Sequence, residues 1–303
     1  MRLLSCLFLA TFFALAGHDS HAAERATLGW GRLFTNDALG DMKDRWRTGS
    51  YVVSLLRGPE GTRALPSRPG ELLEFRFRSE VIAPANLVGA APGDRHYAGI
   101  LAAGLHTHFT RAGLEGSAGV DLVAVGPRTG VSRFQSTAHR IVGMERPLVV
   151  DDQLPDRVYP TLTAELGRVF RVSDSASLRP FAEVVAGAET LARVGADVLI
   201  GRAGQGDLRL RDVVTGQRYA AGARSGTGFG LSLGGDVARV WSSNFLPPDS
   251  GPAATGTRTR LRAGLAWNGT RSSVFYGLTW LGKEFEGQPD GQLLGSLRLH
   301  VRF

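Results

Sequence analysis

The sequence predicts an all-β fold, a twelve-stranded antiparallel transmembrane β-barrel with one short helix in an extracellular loop, and three observations predict it. Alternating apolar and polar segments of strand length recur from residue 27 to the C-terminus, the period-2 pattern of a sheet with two unlike faces. The last segment ends on Phe303, with Leu297, Leu299 and Val301 alternating against Arg298, His300 and Arg302, as in a strand that closes an outer-membrane barrel. No stretch after residue 23 supplies the ~20 consecutive apolar residues of a membrane helix, so membrane residence would have to be by strands.

Taken in order, residues 1–23 read as a secretory signal: Arg2 gives the positive start, Leu3 to Ala16 is an apolar run, and Ser20-His21-Ala22-Ala23 offers small residues for cleavage. One barrel domain, residues 24–303, is expected to follow. The single cysteine, Cys6, falls inside the signal, so the exported chain would hold no thiol; that excludes a disulfide framework and thiolate catalysis. The net charge of +7 is carried almost wholly by arginine, whose planar fork matches phosphate oxygens. A basic lumen or rim facing anionic lipid head groups is expected, with lipid rather than nucleic acid as partner and the barrel acting as a monomer.

The twelve expected strands are Thr27 to Leu33, Tyr51 to Arg57, Leu72 to Val81, Leu101 to Phe109, Ala118 to Val125, Thr161 to Val172, Pro180 to Val185, Arg193 to Arg202, Phe229 to Val240, Arg258 to Trp267, Ser273 to Leu281 and Gly295 to Phe303. Spans of ~9 to 11 residues and an even count suit a bacterial barrel. Trp30, Trp46, Tyr97, Trp241, Trp267 and Trp280 lie near strand ends, where an interfacial girdle places aromatics. Asn268-Gly269 suits a tight hairpin. With both termini in the periplasm, connections from odd to even strands face outward, among them Phe34 to Arg47, Gly126 to Arg157 and Ser243 to Thr257. Ala203 to Thr227 is long and Gly-rich yet falls on the inner side, where turns are short, and it counts against the strand boundaries around it.

Chemistry is expected in the third of the outward connections. Between Ser132 and Val142 there is no proline or glycine, and Gln135 and His139, four apart, project from one helical face. Ser132 is the expected cap, and Gly143 would end the helix and send Met144-Glu145 back toward the wall. A lone helical histidine is more often structural than catalytic, but other polar residues converge on it by topology. Asn36-Asp37 follows the first strand and Thr48-Gly49 opens the second; a carboxylate, an amide oxygen and backbone carbonyls are what calcium requires, although Asn-Asp alone is also a generic turn signal.

These residues resemble a family. Asn36-Asp37, Asp44-Arg45 with Thr48-Gly49, Gly93-Asp94-Arg95 with Tyr97-Ala98-Gly99, Val125-Gly126-Pro127, and Gln135 with Ala138-His139-Arg140-Ile141-Val142-Gly143 and Glu145 resemble, in order, the LpxR-like lipid A 3′-O-deacylases of the outer membrane. The resemblance implies a twelve-stranded barrel whose site lies at the outer rim, between the wall and a loop helix. It implies a calcium-dependent hydrolase that removes the 3′-linked acyloxyacyl group of lipid A, with a histidine base at His139, calcium-site residues at Asn36, Asp37 and Thr48, and supporting polar residues at Gln135 and Glu145. The chain departs from the family at Arg47, where an aromatic is common, at Ser50, where glycine is common, and at Val150, where tryptophan is common.

The residue types then suggest a mechanism. Histidine titrates near neutral pH, so His139 can take a proton from a water attacking the ester carbonyl, with Glu145 or Gln135 fixing its tautomer and calcium at Asp37 stabilising the oxyanion. Arg95 is expected to form a structural pair at the rim or to meet a lipid phosphate. Gly230-Leu231-Ser232-Leu233-Gly234 matches the nucleophile elbow of soluble hydrolases, but that motif needs a strand, a strained turn and a helix, and here it falls inside an alternating strand. The alternative reading is an inactive barrel serving as an envelope pore or scaffold.

Overall fold

A computed structural model describes residues 25–222, 226–249 and 251–301; the expected signal and Phe303 lie outside the described residues. The strands are β1 (Arg25–Asn36), β2 (Trp46–Pro59), β3 (Leu72–Ala83), β4 (Ala98–Arg111), β5 (Leu114–Val125), β6 (Arg157–Gly167), β7 (Phe170–Ser173), β8 (Ala176–Ala186), β9 (Glu189–Gly201), β10 (Arg209–Arg211), β11 (Arg218–Ala220), β12 (Gly228–Ser243), β13 (Thr257–Asn268), β14 (Ser272–Leu281) and β15 (Gln292–Val301), with one α-helix, α1 (Val131–Val142). Twelve of them, all but β7, β10 and β11, form a closed antiparallel ring. β6 pairs with β8 from Leu162↔Ala186 to Gly167↔Phe181, and β1 returns to β15 over Phe34↔Leu297, Thr35↔Ser296 and Asn36↔Gly295. Closure joins the two edge strands of the sheet, whose backbone groups would otherwise face lipid unpaired.

The polarity is that of a chain turned inside out. On β13, Leu261 and Leu265 are 59% and 54% exposed whereas Arg258, Arg260 and Arg262 are 7%, 4% and 6% exposed. Alternation thus presents leucine to lipid and arginine to the lumen. The buried charges are paired: Arg260 and Arg262 both meet Asp236, Arg262 meets Asp197 at 2.6 Å, and Arg179 meets Glu165 at 2.7 Å. Nearer the rim opposite the termini, Glu284 accepts from Arg47 at 2.9 Å and Arg95 at 2.5 Å, and Arg258 meets Glu189 at 2.7 Å. Pairing compensates for the loss of water around each ion.

Three expectations change. The strand expected over Thr161 to Val172 ends at Gly167; Arg168 donates its N–H to Pro180 O (3.1 Å), and Phe170–Ser173 becomes a short arm paired to β8. Trp46 and Tyr97 are not girdle residues: they are 1% and 0% exposed, Trp46 packing against Leu246 and Phe285 within the rim, whereas Trp30, Trp241, Trp267 and Trp280 do face outward. The long segment from Ala203 to Thr227 does not disturb its flanking strands. It turns into the lumen as the β10–β11 hairpin, where Leu208, Leu210, Tyr219 and Ala221 pack against Leu33, Val52, Leu56, Leu72 and Phe275. Gln217 Nε2 donates to Ala263 O (3.1 Å) and Leu278 O (3.2 Å), and Tyr219 OH meets Ser54 Oγ at 3.0 Å. An inner-side loop can be long when its surface is buried against the inner wall.

The connection from Asn268 to Ser272 is a tight turn, closed by Gly269 N–H to Ser272 O at 2.8 Å. Ser232 lies within β12 and donates to Gly264 O of β13 at 3.2 Å, with no strand-to-helix elbow around it.

Candidate active site

The site forms where β1 leaves the barrel wall. Asn36 Oδ1 accepts the N–H of Ala38 (2.8 Å) and starts a 3₁₀ turn over Asp37–Leu39, the use of a short polar side chain expected at a helical start. Asp37 is buried; its Oδ2 accepts Arg45 N–H at 2.8 Å and its backbone carbonyl accepts Gly40 and Met42 N–H, both at 2.8 Å. The carboxyl therefore organises the loop that follows. That loop is strained: Met42, Asp44 and Trp46 have φ of 57°, 46° and 51°, a region costly for residues with a Cβ and one that clusters at functional sites. Asp41 N–H donates to Leu293 O (3.1 Å), and Gln292 Oε1 accepts Arg47 N–H (3.0 Å), so β15 clasps the loop from beneath. Thr48 sits at the irregularity between Arg47 and Gly49 in the β2–β3 ladder, buried, with Oγ1 unpaired.

The opposite wall of the site is α1. It follows Gly126 and a 3₁₀ turn over Pro127–Thr129, and its cap is Gly130 (φ 72°), not Ser132, which lies inside the helix. The helix approaches the wall closely: a Cβ on Gly99 of β4 would lie 2.9 Å from Val131 Cβ and 3.1 Å from Thr129 Oγ1. Ser132, Gln135 and His139 form the buried face. Gly143 (φ 76°) ends the helix and Met144 N–H donates to His139 O at 2.8 Å. This left-handed reversal brings the backbone carbonyl of Glu145 back to His139, whose Nδ1 lies 2.9 Å from it. The Glu145 side chain itself is exposed; its main chain makes the contact.

His139 Nε2 then points at Asp44 Oδ2, 3.4 Å away. Gln135 Oε1 accepts from Tyr97 OH at 2.8 Å, leaving its Nε2 buried and unpaired. Burial pushes the Asp37 carboxyl up to about 7; the Arg45 N–H opposes the rise while Asp44 and then Asp41 add to it. Burial also raises Asp44, with His139 pulling the other way. Three acidic side chains thus share one turn, with Asp37 buried and Asp41 and Asp44 half-buried.

Among the described residues no three His, Cys, Asp or Glu side chains cluster as a metal centre. Calcium, however, is bound by oxygens of any origin. Asp41 Oδ1 and Thr48 Oγ1 are buried oxygens without a hydrogen-bond partner, and the charge of Asp44 and Asp41 beside the buried Asp37 carboxyl is what a divalent cation would relieve. Oxygen donors of the kind calcium takes are thus present at this turn.

Arg95 makes a structural pair at the rim, one of the two roles expected of it. It is buried, pairs with Glu284, and its N–H donates to Asp94 Oδ1 at 2.7 Å. Arg47, one of the departures, joins the same cluster through Glu284 and Glu80. Sequence reasoning gave Asp44 no role and placed Tyr97 in the aromatic girdle, although both stand in the family pattern. The only local signal for Asp44 is an acidic residue four before Thr48, and spacing alone does not reveal its turn toward the helix.

The family model described as outer membrane protein LpxR matches residues 3–303. LpxR from Salmonella typhimurium superimposes with a TM-score of 0.76 at 18% identity, over 91% of this chain and 100% of that chain. The beta domain of the Bordetella autotransporter BrkA gives a TM-score of 0.46 at 11% identity, over 91% of this chain and 99% of that chain. No curated protein matches.

Proposed function

The chain belongs to the LpxR family of outer-membrane β-barrels, and from that premise we propose that it is a calcium-dependent hydrolase releasing the 3′-linked acyloxyacyl group of lipid A. With both termini in the periplasm, the rim carrying Asp37 and His139 faces the outside, where the lipid A leaflet lies. The observation that carries the proposal is the imidazole held between Glu145 O (2.9 Å) and Asp44 Oδ2 (3.4 Å) above the acidic turn.

The carbonyl of Glu145 can only accept, so Nδ1 carries the proton and the lone pair of the neutral ring is on Nε2. Nε2 takes a proton from water as its oxygen attacks the acyl carbon, and Asp44 stabilises the imidazolium that forms. The same proton passes to the sugar oxygen as the ester C–O bond breaks, releasing the fatty acid and a free hydroxyl. Gln135 Nε2 lies on the same buried helical face and offers an N–H to the oxygen that gathers charge. Asp37, Thr48 and Asn36 would hold calcium, which when bound supplies Lewis-acid polarisation of the ester carbonyl. No serine intermediate is involved.

Purified protein mixed with lipid A and calcium tests the reading. Loss of the acyloxyacyl mass that is abolished by chelator and in His139→Ala supports it. Unchanged lipid would support an inactive barrel instead, as a scaffold rather than an open pore, because β10–β11 occupies part of the lumen.

A further inference from the structure

We propose that Tyr97 is a positioning residue for this reaction, acting through Gln135: its hydroxyl donates to Gln135 Oε1 and so fixes the amide with Nε2 toward the reaction space. The inference rests on the proposed deacylation and deepens it. A primary amide has two ends of nearly equal size and opposite hydrogen-bonding sense. A free Gln135 would present its oxygen to the developing oxyanion as readily as its nitrogen, and an oxygen there repels the charge it should stabilise.

Three observations support the assignment. Tyr97 OH is 2.8 Å from Gln135 Oε1 and no other partner of Oε1 is found among the described residues, so the phenol alone sets the amide's sense. Gln135 Nε2 is buried without a partner, an expensive condition that marks a donor kept for something not yet present. Tyr97 is itself fixed: its ring is fully buried beside Val149 and Val150, its carbonyl accepts Leu154 N–H at 2.9 Å, and its backbone bridges to Gln153. Burial, reinforced by Asp44, raises its phenol well above the usual range, so the hydroxyl keeps its proton throughout the working pH range.

The test is a double-mutant cycle on the full-length barrel in detergent with lipid A and calcium. Tyr97→Phe is expected to lower kcat by about 100-fold, the lower end of what one lost preorganised donor costs, with KM within about twofold of wild type. In a Gln135→Leu background the same Tyr97→Phe change is expected to alter kcat by less than about twofold, because the group it orients is gone. A purely structural role would lower both backgrounds equally, and that additivity would overturn the inference, as would wild-type turnover in Tyr97→Phe. Heat-modifiable gel mobility confirms that each variant folds. If wild-type protein leaves lipid A intact, the deacylase reading falls and takes this inference with it; if wild type is active, the cycle judges Tyr97 alone.

Discussion

His139 Nε2 and Asp44 Oδ2 face each other across 3.4 Å, joining the helix of one loop to the strained turn of another. His139→Ala is expected to lower turnover at least 100-fold, the usual minimum for a lost general base being ~10²-fold. Asp44→Asn, which keeps the shape and removes the charge, is expected to cost about tenfold, since the imidazolium formed after proton transfer loses its counter-charge at an effective dielectric well above that of dry protein. Initial rates on lipid A measure both. Full activity in either variant would remove that residue from the mechanism.

Calcium binding should depend on pH through Asp37. Burial raises this carboxyl to about 7, so in the cation-free fold its proton contributes stability below the unfolded value of ~3.9 and that contribution is lost as pH rises through about 7. A ligand carboxylate must release that proton. Calcium affinity measured by calorimetry is therefore expected to be about tenfold weaker at pH 6 than at pH 8. A flat profile, or undiminished binding in Asp37→Ala, contradicts the assignment.

Gly99 tests whether the helix must lie against the wall. A Cβ there would press on Val131 and Thr129, so Gly99→Val should displace α1 while the β-ladder persists. A displacement of ~1 Å in a catalytic group can cost ~100-fold. Activity should fall by about that factor with heat-modifiable mobility unchanged.

Glu284 ties three arginines together. Burial works to raise its carboxyl, but Arg47, Arg258 and Arg95 outweigh burial and hold it well below the usual range. Glu284→Gln leaves those cations short of a counter-ion and is expected to destabilise the barrel by about 3 kcal/mol, seen as a lower urea midpoint. Ser232→Ala, by contrast, should leave both turnover and stability within error, since its hydroxyl only meets a neighbouring carbonyl.

Most strand positions and the closure of the ring were legible because period-2 alternation reports a two-faced sheet whichever face meets water. The helix and its Gly143 stop were equally legible, as was the pairing of Gln135 with His139 on one face. The lumen hairpin was not, although β2 carried a hint: Tyr51-Val52-Val53-Ser54-Leu55-Leu56 is apolar on both faces, and the inner face needs something apolar to cover it. The places of Asp44 and Tyr97 at the site were not legible because they depend on backbone reversals and on contacts between distant loops. The contribution of Glu145 was assigned to its side chain for the same reason, since main-chain carbonyls leave no trace in residue identity.

The short suture between β1 and β15 has a consequence for when the protein becomes competent. Its final pair is Asn36↔Gly295, and the next residue is Asp37. The turn bearing that carboxylate leans on Leu293 and Gln292 of the last strand. A chain still threading into the bilayer, with its two ends apart, has neither the cradle nor the acidic turn in place. On the proposed deacylase reading, activity and the finished cylinder would come into being together, and a nascent protein would not attack the lipids into which it is being inserted.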